Sequence, residues 1–167
     1  LGDIKQTIDG GETVFEAEVV KADETYSLSV SPDGKWYSVE IELTEAPKPV
    51  QNKARQLAGS GTIDNVSKVL EEGDVSYEVE MTLTNRHHSY SIGPRGKVWS
   101  HSVEVKLSEA PAAVQKTIKE QLGKGKLGDI YRVDEEGEVY FQVETTKAGK
   151  EYNFSVAPDG KFLDVDE

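Results

Sequence analysis

The sequence predicts an α+β fold: tandem repeats of one helix plus a four-stranded antiparallel meander, forming a broad curved sheet with helices on one face. Three observations predict it. Residues 1–41 lie over residues 127–167 without a gap, at a constant offset of 126, and eighteen of the 41 aligned positions are identical. Among them, Leu1-Gly2-Asp3-Ile4 matches Leu127-Gly128-Asp129-Ile130, and Pro32-Asp33-Gly34-Lys35 matches Pro158-Asp159-Gly160-Lys161. A third copy, residues 63–103, follows the first at an offset of 62 and keeps Gly73, Glu80, Ser91, Pro94, Gly96 and Lys97 in place. Between the copies stand two spacers, Leu43-Thr44-Glu45-Ala46-Pro47 and Leu107-Ser108-Glu109-Ala110-Pro111, 64 residues apart, which sets the length of the full unit. The expected organisation is therefore a partial repeat over 1–42 (four strands, helix missing), a second repeat over 43–106 and a third over 107–167. A chain that opens inside a repeat also points to an upstream segment removed by processing or design.

Each element has its own reason. The spacer opens a helix: Thr44 and Ser108 are N-cap candidates, and Pro47, Pro49 and Pro111 fall in or near a first turn that does not need their missing N–H. Val114, Ile118 and Leu122 recur every four residues as one apolar stripe, as do Val50, Ala54 and Leu57, and Gly59 and Gly123 end the helices. A first strand runs near residues 63–72. In the second strand Val75, Tyr77, Val79 and Met81 alternate with Ser76, Glu78 and Glu80, just as Val139, Phe141 and Val143 alternate with Tyr140, Gln142 and Glu144. A third strand carries Tyr152, Phe154 and Val156. A Pro-Asp-Gly turn leads into the fourth, with Leu163 and Val165 on one face. Period two with one polar face means a sheet covered on one side only.

Composition narrows the function classes. Nineteen basic against 31 acidic side chains give a formal charge of -12, which argues against nucleic acid as a partner, because that requires a clustered basic surface. An acidic surface fits a basic partner, weakly bound cations or plain solubility. No apolar run approaches the roughly 20 residues of a membrane helix, so no membrane insertion is expected. The absence of cysteine removes thiolate metal sites, cysteine nucleophiles and disulfides.

The stretch LSEAPAAVQKTIKEQL, a short glycine-bearing link, an alternating acidic strand and the turn pattern Y-x-[FL]-x-V-x-P-D-G-K together resemble the PepSY-like family, whose fold relatives include the β-lactamase inhibitor proteins. The resemblance covers essentially the whole chain as tandem copies. It implies a bacterial protein of the periplasm or cell exterior, non-enzymatic, with the free face of the sheet available to grip a protein or peptide, as the inhibitor relatives grip an enzyme. Two other readings stand beside it: a structural spacer within a larger envelope protein, and a metal- or signal-sensing module centred on the histidines of the middle repeat.

Strand alternation assigns the open face residue by residue. Val14, Glu16, Glu18, Ser76, Glu78, Glu80, Tyr140, Gln142 and Glu144 come from the second strands, serines and Asn153 from the third, and Trp36, Ser38, Glu40, Val98, Ser100, Ser102, Phe162 and Asp164 from the fourth. Trp36, Tyr140 and Phe162 are the candidate anchors, because aromatic rings dominate binding hot spots. Glu78 and Glu80 supply the charge. Glutamates on an open sheet also serve simply as a solvated surface that blocks aggregation. No D-x-D-x-D-G loop gathers the oxygens that calcium requires.

The middle copy diverges in one region. Arg86, His87 and His88 replace Glu24-Thr25-Tyr26, Arg95 replaces Asp33, and His101 replaces Val39. Arg86 and His87 thereby join the candidate binding residues. With a two-residue turn at Pro94-Arg95, His88 faces His101 on the apolar side and the two form half of a transition-metal site. The same pair also reads as neutral histidines filling aromatic space. A three-residue turn would pair His88 with Ser102 and separate them. No cofactor is expected. The chain carries no G-x-S-x-G, H-E-x-x-H or phosphate loop, and its carboxylates fall on open strands, so no catalytic residue is expected.

Overall fold

The computed structural model describes residues 4–9, 12–21, 24–71, 73–147 and 149–166 of the 167. Among the described residues, twelve strands are laid side by side in chain order. They are β1 (Ile4–Asp9), β2 (Glu12–Lys21), β3 (Glu24–Val30), β4 (Trp36–Glu40), β5 (Thr62–Glu71), β6 (Asp74–Leu83), β7 (Arg86–Ile92), β8 (Val98–Glu104), β9 (Lys126–Glu135), β10 (Glu138–Lys147), β11 (Lys150–Val156) and β12 (Phe162–Asp166). Among the described residues, two α-helices interrupt the series, α1 (Lys48–Ala58) and α2 (Ala112–Leu122). The chain divides into two compact units, residues 1–99 and 100–167.

This corrects the expected fold class. The protein is mainly antiparallel sheet, one open twelve-stranded ladder, and not a series of α+β units under a helical layer. The cause is the pairing of β4 with β5. Trp36 stands opposite Glu71 and Glu40 opposite Ser67, although 21 residues of turn and helix separate the two strands. The helix is a long insertion in a hairpin. Hydrogen bonding passes through that hairpin without a break, so the meanders run on as one ladder and do not close off as separate units. In the second unit, Ser100 to Glu104 of β8 pair likewise with Glu135 to Tyr131 of β9, across α2.

Each helix packs on strands of its own unit. Val50, Ala54 and Ala58 of α1 are buried with Val66, Tyr77, Val79, Met81, Tyr90 and Ile92. Val114 and Ile118 of α2 are buried with Ile130, Phe141, Val143, Phe154 and Val156. The strand residues obey the period-two alternation, with Tyr77, Val79 and Met81 all inside. Each fully buried valine or isoleucine contributes about 1.5–3 kcal/mol.

The helix starts differ from expectation. Thr44 and Ser108 do not cap the helices. They lie in separate 3-10 turns, Leu43–Glu45 and Leu107–Glu109, and Pro47 and Pro111 occupy the N-cap positions. The amides before those turns are held by glutamates: Glu42 N–H donates to Glu45 Oε2 at 3.2 Å, and Lys106 N–H to Glu109 Oε2 at 2.8 Å. A glutamine, buried in the first case and half-buried in the second, then fastens each turn to its helix. Gln51 Nε2 donates to the carbonyls of Ala46 (2.8 Å) and Thr44 (3.1 Å), and Gln115 Nε2 to that of Ala110 (2.9 Å). Carbonyls facing the helix start would otherwise be left unpaired inside the protein, a larger loss than a missing cap on the surface.

The β3–β4, β7–β8 and β11–β12 turns place Gly34, Gly96 and Gly160 at φ of 71°, 81° and 89°, a region that disfavours any side chain. The last two also touch a helix. A Cβ on Gly96 would stand 2.9 Å from the Pro49 carbonyl oxygen, and one on Gly160 would stand 2.9 Å from both Cβ and O of Ala113. Nothing lies within 4 Å of the same position at Gly34. In the first turn Asp33 Oδ1 instead accepts from the Ser31 hydroxyl (2.7 Å) and the Lys35 N–H (3.1 Å). Those bonds, with the Lys35 ammonium, hold its carboxyl at a pKa of about 2.

The three turns make an internal comparison. Gly160→Ala should lower the thermal midpoint more than Gly34→Ala, because both add backbone strain of about 1–3 kcal/mol but only the first adds a helix clash. Melts of the two variants followed by circular dichroism check this, and equal losses would contradict the packing described.

Candidate functional site

The uncovered face of the first unit is built by cross-strand pairing. Glu78 on β6 stands between Ser67 on β5 and Ser91 on β7, and Glu80 stands between Asn65 and Ser89. Ser67 continues to Glu40 on β4, whose carboxylate accepts from the Ser27 N–H at 3.3 Å. His87 pairs with Thr82, and its Nε2 lies 4.0 Å from Glu80 Oε2. Farther along, Lys5, Glu16, Glu18, Ser27 and Ser29 line a depression of about 390 Å³. The predicted residues Glu78, Glu80 and His87 are thus brought together on one hydroxyl-rich, acidic surface.

Charge is crowded here. Burial among its neighbours, then the carboxylates of Glu80 and Glu71, raise the Glu78 carboxyl above its ordinary value. The side chain still reaches solvent, so screening keeps the effect on stability small. His87 sits where a protonated imidazole would offset Glu80.

In the second unit, Tyr140 pairs with Val133 and Gln142 with Tyr131, and Ser102 and Glu104 of β8 continue the two rows. The Tyr140 hydroxyl donates to Glu135 Oε2 at 3.3 Å, which steadies the ring. Desolvation, then Asp129 and Glu151, raise the Glu144 carboxyl against an opposing hydrogen bond from the Asp129 backbone.

Other predicted residues fall elsewhere. Phe162 is not on the open face. The β11–β12 ladder slips between Ser155 and Val156, which sets Phe162 opposite Val156 and turns its ring onto the α2 core. The ring stacks on Phe154 with centroids 5.8 Å apart, and Leu163 is left 46% exposed instead. Val98, its counterpart in the middle copy, packs against the first unit's core in the same way. Arg86 pairs with Leu83, a residue packed against that core, and so stands on the opposite side from His87. Trp36 opens β4 opposite Glu71, and its side chain lies outside the described residues.

The β7–β8 turn corrects a further expectation. Gly93 N–H donates to Lys97 O and Gly96 N–H to Gly93 O, each at 2.8 Å, so Pro94, Arg95 and Gly96 form a three-residue loop. A glycine in the left-handed region suits this loop and matches the twist of the strands. The pairing of His88 with His101 was drawn from a two-residue turn and loses its basis. His88 belongs to the first unit and His101 to the second. His88 pairs with Met81 and stacks on Tyr90, ring centroids 6.3 Å apart. Burial, then the charges of His87 and Arg86, lower its pKa and favour the neutral ring. Among the described residues, no group of three or more His, Cys, Asp or Glu side chains is placed to hold a metal ion.

Alternation within the second, third and fourth strands missed Val69, Tyr131 and Val133. Val69 and Val133 are buried on the uncovered side, opposite Ser76 and Tyr140. Their signal was the offset of 64 that relates them, and only the partner strand shows which face they take.

Glu78 carries a pH prediction. Its folded pKa is raised, so its contribution to stability is fully present below the unfolded value and is lost as pH rises through the folded one. Glu78→Gln should therefore raise the melting temperature slightly at pH 7. The gain should vanish below about pH 4, where the carboxyl is protonated in both states. A melting series from pH 3 to pH 8 tests this, and a gain independent of pH would contradict it.

No family model matches the chain, and no curated protein matches it. Solved structures do share its fold. A protein predicted to be periplasmic from Bacteroides eggerthii superposes with a TM-score of 0.62 at 16% identity, over 72% of this chain and 87% of that one. A DUF2874 family protein from Bacteroides uniformis gives 0.61 at 16% identity, over 72% and 88%. A BLIP-like protein from Bacteroides fragilis gives 0.57 at 16% identity, over 72% and 84%. No described helix is long and apolar enough to cross a membrane. The chain has a BLIP-like fold.

Proposed function

We propose that the chain is a non-enzymatic, extracytoplasmic binding module of the PepSY-like kind, which uses the uncovered face of its sheet to contact a protein or peptide. The observation that carries this reading is the row of Glu78, Glu80 and Glu40 among serines, a face with crowded negative charge. A cationic partner relieves that crowding, and charge complementarity of this kind sets association rate and specificity. Tyr140, steadied by Glu135, provides an aromatic contact of the type that concentrates binding energy. The BLIP-like fold supports inhibitor-like action as the finer form, and the eggerthii neighbour supports a place outside the cytoplasm. Solvent reaches the carboxylates along an open ladder, which suits recognition better than proton transfer.

Capture from an envelope fraction of the source organism tests the proposal. The wild-type chain should retain a basic protein at low salt, and Glu78→Lys with Glu80→Lys should cut recovery at least tenfold. Tyr140→Ala should weaken retention without changing its salt dependence. The same set of proteins on wild type and the double variant would overturn it.

A further inference from the structure

The side of β1–β4 opposite the acidic surface keeps the residues that elsewhere receive a helix. Successive pairings carry this side from the core outward: Tyr77 to Lys68, Val39, Leu28, Ala17 and Ile4, and Val75 to Leu70, Tyr37, Val30 and Phe15. The repeat supplies the comparison. Ile4 is 63% exposed, whereas its counterparts Val66 and Ile130 are 4% and 2% exposed. Phe15 is 37% exposed, whereas Tyr77 and Phe141 are 8% and 5% exposed. Ala17, Leu28 and Val30 are half-buried where Val79, Tyr90, Ile92, Val143, Phe154 and Val156 are inside. The difference is a helix: α1 covers the middle copy and α2 the last. The turn glycines agree independently, since a Cβ at Gly96 or Gly160 strikes a helix and one at Gly34 meets nothing.

We infer that this face is a docking surface for an amphipathic helix of the α1 type, presented by a partner polypeptide. The shape of the face specifies that occupant. The face matches two others on which a stripe of small apolar residues, Val50, Ala54 and Ala58 or Val114 and Ile118, is seated. A groove that reads the i, i+4, i+8 face of a helix is an established mode of peptide recognition. The surface lies on the opposite side of the sheet from the one proposed above to bind a partner, so the two are separable.

A labelled synthetic peptide of residues 43–60, titrated with the full chain and followed by fluorescence anisotropy, tests the inference. The peptide should bind one to one. Phe15→Asp should weaken binding at least tenfold, and a peptide carrying Val50→Asp and Ala54→Asp should not bind. Ile4→Asp, at the more exposed position, serves as a second variant if Phe15→Asp fails to fold. No binding of the unaltered peptide would overturn the inference. Equal binding to wild type and a folded variant would also overturn it, because the peptide would then be replacing α1 or α2. Self-association of the chain without peptide, lost in the same variants, would replace it with a second copy as occupant.

Discussion

The direct pairing of β4 with β5 is the constraint on which the rest of the structure depends. A ladder of backbone hydrogen bonds joins these strands across 21 intervening residues. Because the ladder closes, the segment between must leave the sheet and return to the same edge, and a 3-10 turn followed by a three-turn helix does so compactly. The returning helix has one direction in which to bury its stripe, onto the strands that follow. Val66 on β5 and Tyr77, Val79 and Met81 on β6 receive it. The same logic holds in the second unit, where β8 and β9 pair around α2.

Two unlike faces follow from that arrangement. The strands alternate, so the residues that do not meet a helix point the other way, and in the first unit these are mainly carboxylates and hydroxyls, with Val69 buried among them. Desolvation of the Glu78 carboxylate, and then its crowding by Glu80 and Glu71, is a cost the folded chain carries on that face. A surface that holds like charges together without structural need has a ready electrostatic gain on meeting a basic partner. The helix side is governed by burial instead. It is satisfied where α1 and α2 lie and left partly open on β1–β4.

Small irregularities decide which residues belong to which face. One slip in the β11–β12 ladder moves Phe162 from the open side to the core and exposes Leu163. A bulge changes the face of every residue on one side of it, because the side-chain period is two. The three-residue loop before β8 is of the same kind, with Gly96 taking the positive φ. Aromatic anchors near such turns are the least secure assignments on any strand pattern. Glu78 and Glu80, in the middle of a long regular strand, are among the most secure.

The repeat, the helix stripes and the inward and outward residues of the second strands were determined by the sequence itself. Each rests on a local period or on copies that report on one another, and neither requires knowledge of a distant partner. The acidic surface was legible for the same reason. Tertiary structure alone decided that the strands fuse into one sheet, that Phe162 turns inward, and that Val69 and Val133 lie under the open face. All of these depend on which residue of a neighbouring strand stands opposite. Cross-strand hydrogen bonding sets that relation, and no periodicity within a single strand encodes it.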